Sequence, residues 1–326
     1  MPLGWYLAQG FYPLGPSSSD DEEGPCELPD GRIVCGPHGL VVCGKCCTDY
    51  TDMDNVPDGY EEYDDEGDDE EDDGGKSDDE KSVDYTRAAH VRAFWRDVVV
   101  PDMKRGTGRE FPTKFTPPNS TTTPTQLFPV KAIDANSTRY VNRHDPHVVL
   151  VFTDGACLNN GQPDPKAGWA FVYGSEDAGK LATRSGRLET EGPFGDKSIQ
   201  SSNRAELRAV IAALRFRYWP NEGFSTIVIA TDSEYVVEGS TTWAKTWIKK
   251  GWKTSGGVEV KNQDLWELLL GEVERWKEDG LSIRFWRIQR DWNQTADAAA
   301  KEAASEDKVP NQWNEPRFSR KGPLEI

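Results

Sequence analysis

Val148-Val149-Leu150-Val151-Phe152-Thr153-Asp154-Gly155 and, further along, Ile227-Val228-Ile229-Ala230-Thr231-Asp232 decide how this chain is read. Each begins as an unbroken apolar run, the pattern of a strand covered on both faces. Each then ends in Thr-Asp. If the two strands are parallel neighbours, both aspartates emerge side by side at the carboxyl edge of the sheet, where open α/β folds place their ligands.

Outward from these runs, Trp169 to Tyr173 and the Arg187–Phe194 region read as two more strands. Asn203 to Trp219 reads as an amphipathic helix, with Leu207, Val210, Ile211 and Leu214 on one stripe. Asp232 to Ile248 and Gln263 to Lys277 read as helical, Ser282 to Ile288 as a strand, and Gln294 to Ser305 as an Ala-rich closing helix. The expected architecture is α/β: a five-stranded mixed sheet flanked by helices.

The 326 residues carry a net charge of −18, and its source is local. The first hundred residues hold 26 Asp and Glu against 7 Lys and Arg, whereas Val148 to Glu306 is close to balance. The expected organisation is a disordered segment 1–25, a cysteine-rich segment 26–50, a disordered acidic tract 51–84, a linker or extension 85–145, the folded domain 146–306 and a tail 307–326. The acidic tract repels itself and offers too little apolar surface to offset the entropy of ordering. No apolar run reaches 18 residues and the first sixteen residues lack the basic start of a signal peptide, so a soluble intracellular protein without a membrane partner is expected, nuclear or cytoplasmic.

Four carboxylates stand out, and each has an ordinary structural explanation. Asp154 opens an Asp-Gly turn, Glu206 closes a capping box begun by Asn203, and Asp232 and Asp297 sit in first helical turns that favour acids. Together they outweigh those explanations. Acids gathered partly out of water repel one another unless a cation offsets them. Oxygen ligands suit hard divalent ions, and no histidine follows His147 to suggest zinc here. Two such ions bridged by carboxylates suit in-line attack on a phosphodiester.

Phe152-Thr153-Asp154-Gly155-Ala156-Cys157, Asn203-Arg204-Ala205-Glu206-Leu207, Ala230-Thr231-Asp232-Ser233-Glu234-Tyr235-Val236 and Asn293 to Asp297 resemble, in order and spacing, the type 1 ribonuclease H family, particularly its fungal branch. The resemblance covers about half the chain. It implies a ribonuclease H-like fold and endonucleolytic hydrolysis of the RNA strand of RNA–DNA hybrids. It also implies Asp154, Glu206, Asp232 and Asp297 as the catalytic acids, holding two Mg²⁺ with Mn²⁺ able to substitute. Asn160 and Asn203 match positions that contact the RNA strand, and Asn293 matches a residue near the site whose simpler role is a helix N-cap. Glu234 stands where many relatives have glutamine. Many relatives also carry a histidine in the loop before the final helix; here Arg290 takes its place and cannot accept a proton.

Trp243, Trp247 and Trp252 recur with Lys249, Lys250 and Lys253. One reading is a packed stripe with solvated lysines. The other is a basic protrusion whose lysines meet phosphates and whose aromatics rest on sugars or bases, and the resemblance agrees with a handle that grips DNA. Near the N-terminus, Cys35, His38, Cys43 and Cys46 supply four ligands suited to one structural Zn²⁺, with Cys26 and Cys47 as spares. The opposing reading is an unstructured reduced segment. This segment or the acidic tract is the expected docking place for a protein partner, and the enzyme itself is expected to be a monomer. The alternative to an enzyme is a non-catalytic hybrid-binding scaffold, which the presence of all four acids disfavours. A retroelement polyprotein is disfavoured by the absence of polymerase sequence in residues 1–145.

Overall fold

A computed structural model describes residues 101–134, 137–175, 181–254 and 256–315, of 134 the backbone only, together with the backbone of five short strands. Those strands are Tyr12–Pro13, Pro25–Glu27, Ile33–Cys35, Val42–Cys43 and Thr48–Asp49. The first three make one antiparallel sheet and the last two pair with each other. The side chains of the expected zinc ligands Cys35, His38, Cys43 and Cys46, and the whole acidic tract, lie outside the described residues. Among the described residues no helix is long and apolar enough to cross a membrane.

The main sheet contains β1 (Thr113–Lys114), β2 (Val130–Asp134), β3 (Ser137–Val141), β4 (Val148–Leu158), β5 (Lys166–Ser175), β6 (Leu181–Arg187), β7 (Thr226–Thr231) and β8 (Ser282–Arg287). Its order is β6-β5-β4-β7-β8-β1, and β3 joins β2 to β4. The two opening runs are parallel neighbours, from Thr226 opposite Val148 to Ala230 opposite Phe152. Both are buried along their length because helices cover both faces. The helices are α1 (Pro124–Leu127), α2 (Ser202–Arg215), α3 (Glu234–Glu238), α4 (Ala244–Lys249), α5 (Gln263–Glu278) and α6 (Gln294–Ser305), with one π turn, Gly239–Trp243, between α3 and α4. The fold is ribonuclease H-like, as expected.

Five expectations are corrected. The sheet has eight strands, not five, because residues 113–141 contribute three. These strands escape a sequence reading because two are short or polar and follow a Pro/Thr-rich stretch. Residues 101–141 are therefore part of the domain rather than a linker ahead of it. The third hairpin strand is Leu181–Arg187, not Arg187–Phe194; it is polar because it forms the outer edge. Helix α2 starts one residue earlier than expected, with Ser201 as N-cap accepting from the Arg204 amide at 3.3 Å. Glu206 thus closes no capping box. Asp154 does not open a turn; it lies inside the eleven-residue β4, opposite Ala170.

The extension is strapped onto α5. Glu274 Oε1 accepts from the amides of Thr107 and Gly108 at 2.8 Å each, from the Arg109 amide at 3.2 Å and from the Thr107 hydroxyl at 2.9 Å. At the other terminus residues 306–315 form loop, as expected, but docked loop. Trp313 lies under the Arg208 guanidinium at 3.9 Å, and Arg215 Nε donates to Glu315 at 2.7 Å.

Candidate active site

The site begins with Gly155. A Cβ at this position would overlap the backbone of Ala205 and Glu206, so only glycine lets α2 lie this close to β4. That approach places Glu206 beside Asp154. Both are buried, at 8% and 4% exposure, and each carboxylate feels the charge of the other. Asp232 leaves β7 level with Asp154 in the parallel register, since Ala230 faces Phe152. Asn293 ties the final helix to both strands: its Nδ2 donates to Asp232 Oδ1 at 2.8 Å and to the Thr153 carbonyl at 3.0 Å. One turn on, Asp297 faces Lys301 Nζ at 2.8 Å and Arg290 Nη2 at 3.5 Å.

Burial raises the Asp154 carboxyl well above its ordinary pKa, and the charges of Asp232 and Asp297 raise it further. The Gly155 amide, donating to Asp154 Oδ1 at 2.9 Å, and Arg290 offset part of this. Glu206 is raised well above the ordinary value for the same primary reason, then by Asp154 and Asp232. Glu206 Oε2 is buried without a hydrogen-bond partner. An acidic cluster with mutual repulsion and an orphaned oxygen is chemically suited to a hard divalent ion. Among the described residues no three acidic, histidine or cysteine side chains are close enough together to hold a metal ion as they stand.

The expected substrate contacts divide. Asn160 and Asn203 are buried. Asn160 Oδ1 accepts from the Ser202 amide at 3.3 Å, tying the loop after β4 to the start of α2, and its Nδ2 has no hydrogen-bond partner. Glu234 pairs with Arg287 at 3.0 Å, a partner the sequence reading missed because it comes from β8. Trp247 is buried and packs on Trp266 at 5.4 Å and Trp243 at 5.9 Å. For this tryptophan the packed-stripe reading holds, and the expectation of a substrate contact is corrected. Trp243 and Trp252 are partly covered, whereas Lys249, Lys250 and Lys253 are exposed. The salt bridge from Lys301 to Asp297, also missed, was readable from the one-turn spacing on a helix.

The sequence model of the family described as RNase H matches residues 146–305. A ribonuclease H of Treponema pallidum is 37% identical over 166 residues, spanning 48% of this chain and 92% of that protein. The chain belongs to the ribonuclease H family. A ribonuclease H of Hahella chejuensis is 41% identical over 133 residues, 40% of this chain and 75% of that protein. A solved type 1 ribonuclease H with a type 2 active-site motif is similar at 28% identity, with a TM-score of 0.34 over 48% of this chain and 72% of that one. The carboxylate cluster therefore sits in a ribonuclease H domain, and the protein is an enzyme of that class.

Proposed function

We propose that this ribonuclease H cuts internal phosphodiesters of the RNA strand in RNA–DNA hybrids, with Asp154, Glu206, Asp232 and Asp297 as its catalytic acids. The observation that carries this reading is the buried Asp154–Glu206 pair with its orphaned oxygen, set beside Asp232 and Asp297. These four side chains would hold two Mg²⁺, or Mn²⁺, which when bound supply Lewis-acid stabilisation and acidify water. Asn293 fixes Asp232 through its amide. Arg290 is exposed and close to Asp297, so it can face a substrate phosphate, but it stays protonated and passes no proton.

Lys249, Lys250 and Lys253 meet phosphates of the DNA strand without reading sequence, with the exposed parts of Trp243 and Trp252 beside them. For contact with 2′-hydroxyls, the groups that distinguish RNA from DNA, this reading takes Glu234 together with Asn160 and Asn203, whose burial limits them to any polar atom that reaches the surface. The zinc reading of Cys35, His38, Cys43 and Cys46 belongs to the same proposal. Zinc bound at one equivalent in the purified protein, and lost in Cys43→Ser, is its signature.

The test uses one labelled hybrid, with RNA and DNA duplexes as controls. Asp232→Asn should abolish Mg²⁺-dependent cleavage while hybrid affinity changes less than about threefold, because no phosphate-facing lysine is touched. A variant that still cuts at the wild-type rate removes the acidic site from the reaction. A wild-type protein that binds hybrid and never cuts it is the scaffold instead.

A further inference from the structure

The extension also builds a second concavity beside the acids. Because β1 pairs with β8 in parallel, the chain after Lys114 runs to the same sheet edge at which Asp232 leaves β7. Phe115 anchors it there, its amide donating to the Phe285 carbonyl at 2.7 Å and its ring 5.1 Å from Trp286. A cleft of about 330 Å³ remains, with Thr116, Pro117 and Ser120 on one wall and Arg287, Gln289 and Trp292 on the other. We propose that this cleft is a subsite for one unstacked nucleotide of the RNA strand, a reading that rests on the hybrid-cleaving activity above.

Position is the first argument. Gln289 directly precedes Arg290, which reaches Asp297, and Arg287 pairs with Glu234 in the first turn after Asp232. Two residues of the cleft wall are thus next to, or paired with, residues that adjoin the acids. Its chemistry is the second. The partly exposed Trp292 offers a ring on which a base can stack. Gln289 is exposed and supplies both donors and an acceptor for a base edge. The Arg287 side chain keeps 52% of its surface open while paired to Glu234, leaving it able to meet a phosphate.

Rigidity is the third. Lys114 Nζ donates to both carboxylate oxygens of Glu238, at 2.6 and 2.8 Å, and Phe128 packs against Phe115 at 5.7 Å and Trp286 at 6.2 Å. A volume near the lower end of small-ligand pockets fits one nucleotide and excludes a helix. Bases inside a hybrid are paired and stacked, so only an unpaired nucleotide can enter. The cleft therefore favours RNA that runs on past the end of its DNA partner.

The experiment uses the full chain and three labelled hybrids: fully paired, and with the RNA extended by unpaired nucleotides at the 5′ or the 3′ end. One extended hybrid is expected to show a KM about tenfold below that of the paired one, the scale of one base–aromatic stack. Ser120→Trp and, separately, Thr116→Trp fill the cleft from the extension side. Both should return that KM to the paired value and leave kcat on the paired hybrid unchanged. Equal KM values on all three hybrids, with the paired one cut normally, overturn the subsite. So does a preference that survives both substitutions. Competitive inhibition by a nucleoside monophosphate that the filled variants lose, with no preference among hybrids, assigns the cleft to a free nucleotide and overturns the RNA-strand occupant. Failure to cut any hybrid overturns instead the activity on which the subsite rests.

Discussion

Asp154 illustrates what a single residue carries at this site. Its carboxyl is buried, borders three other acids and is raised well above the ordinary carboxylate range, by burial first and by its neighbours second. A raised carboxylate means that the folded state holds a proton which the unfolded chain has released. Stability in metal-free buffer therefore falls as pH rises from about 4 through the raised value, and the loss is complete above it. Asp154→Asn carries no such penalty: its carbonyl can still accept from Gly155, and its amide can donate to Glu206. In chelator at neutral pH this variant should melt several degrees above the wild type, with the gap closing toward pH 4. Mg²⁺ should raise the melting temperature of the wild type and not that of the variant. A variant no more stable than wild type at pH 7 in chelator would mean that the carboxylate is not strained by its surroundings. The acids themselves were legible from their residue types and spacing. The role of Gly155 was not, because the close approach of α2 exists only in three dimensions.

At the scale of elements, legibility followed burial. Strands β4 and β7 announced themselves through continuous apolar runs because both faces are covered, and α5 through the stripe of Leu265, Leu268, Leu269 and Val273. Strand β6, at the outer edge, has the sequence Leu-Ala-Thr-Arg-Ser-Gly-Arg and was misplaced in favour of the stretch after it, where Glu189 and Glu191 give the alternation of a half-exposed strand. The stretch around α4 was ambiguous for a physical reason: tryptophan serves both cores and nucleic-acid surfaces. Its helix turns Trp247 inward to Trp266 and leaves the lysines outside. Replacing Lys249, Lys250 and Lys253 together by Ala should thus leave folding unchanged and weaken every hybrid alike. The slope of log affinity against log salt should flatten by roughly 0.7–0.9 for each phosphate that the variant no longer neutralises. Trp247→Ala should instead cost roughly 3–5 kcal/mol of stability as a core truncation, measured by denaturant unfolding. An unchanged salt slope in the triple variant would make those lysines bystanders.

At the scale of the whole molecule, the family match begins at residue 146, but the packed domain begins at about residue 102. Nothing in the composition of residues 101–141 revealed this, since prolines and threonines dominate and the strands are brief. Their contribution lies in what they cover. Leu127, Phe128 and Tyr140 are all buried, and Phe128 and Phe115 pack on Trp286. Arg139, at 1% exposure, makes two 2.8 Å hydrogen bonds to Glu222, one from Nε and one from Nη2. Fully burying a large apolar side chain contributes about 1.5–3 kcal/mol. Three such groups, the half-buried Phe115 and a buried ion pair together approach the ~5–15 kcal/mol that stabilises a typical domain. A fragment of residues 146–306 also exposes one edge of β8 and the face of Trp286, while losing the tail that closes over Arg208 and Arg215. It should be aggregation-prone and melt at least 15 °C below a fragment of residues 102–315, taking a shift of about 2–4 °C per kcal/mol at this size. The longer fragment should match the full chain within a few degrees, and hydrogen exchange should show β8 protected in it and open in the shorter one. If the shorter fragment melts alongside the longer one, the extension is an ornament on a self-sufficient domain, and the sheet closes energetically at β8 rather than β1.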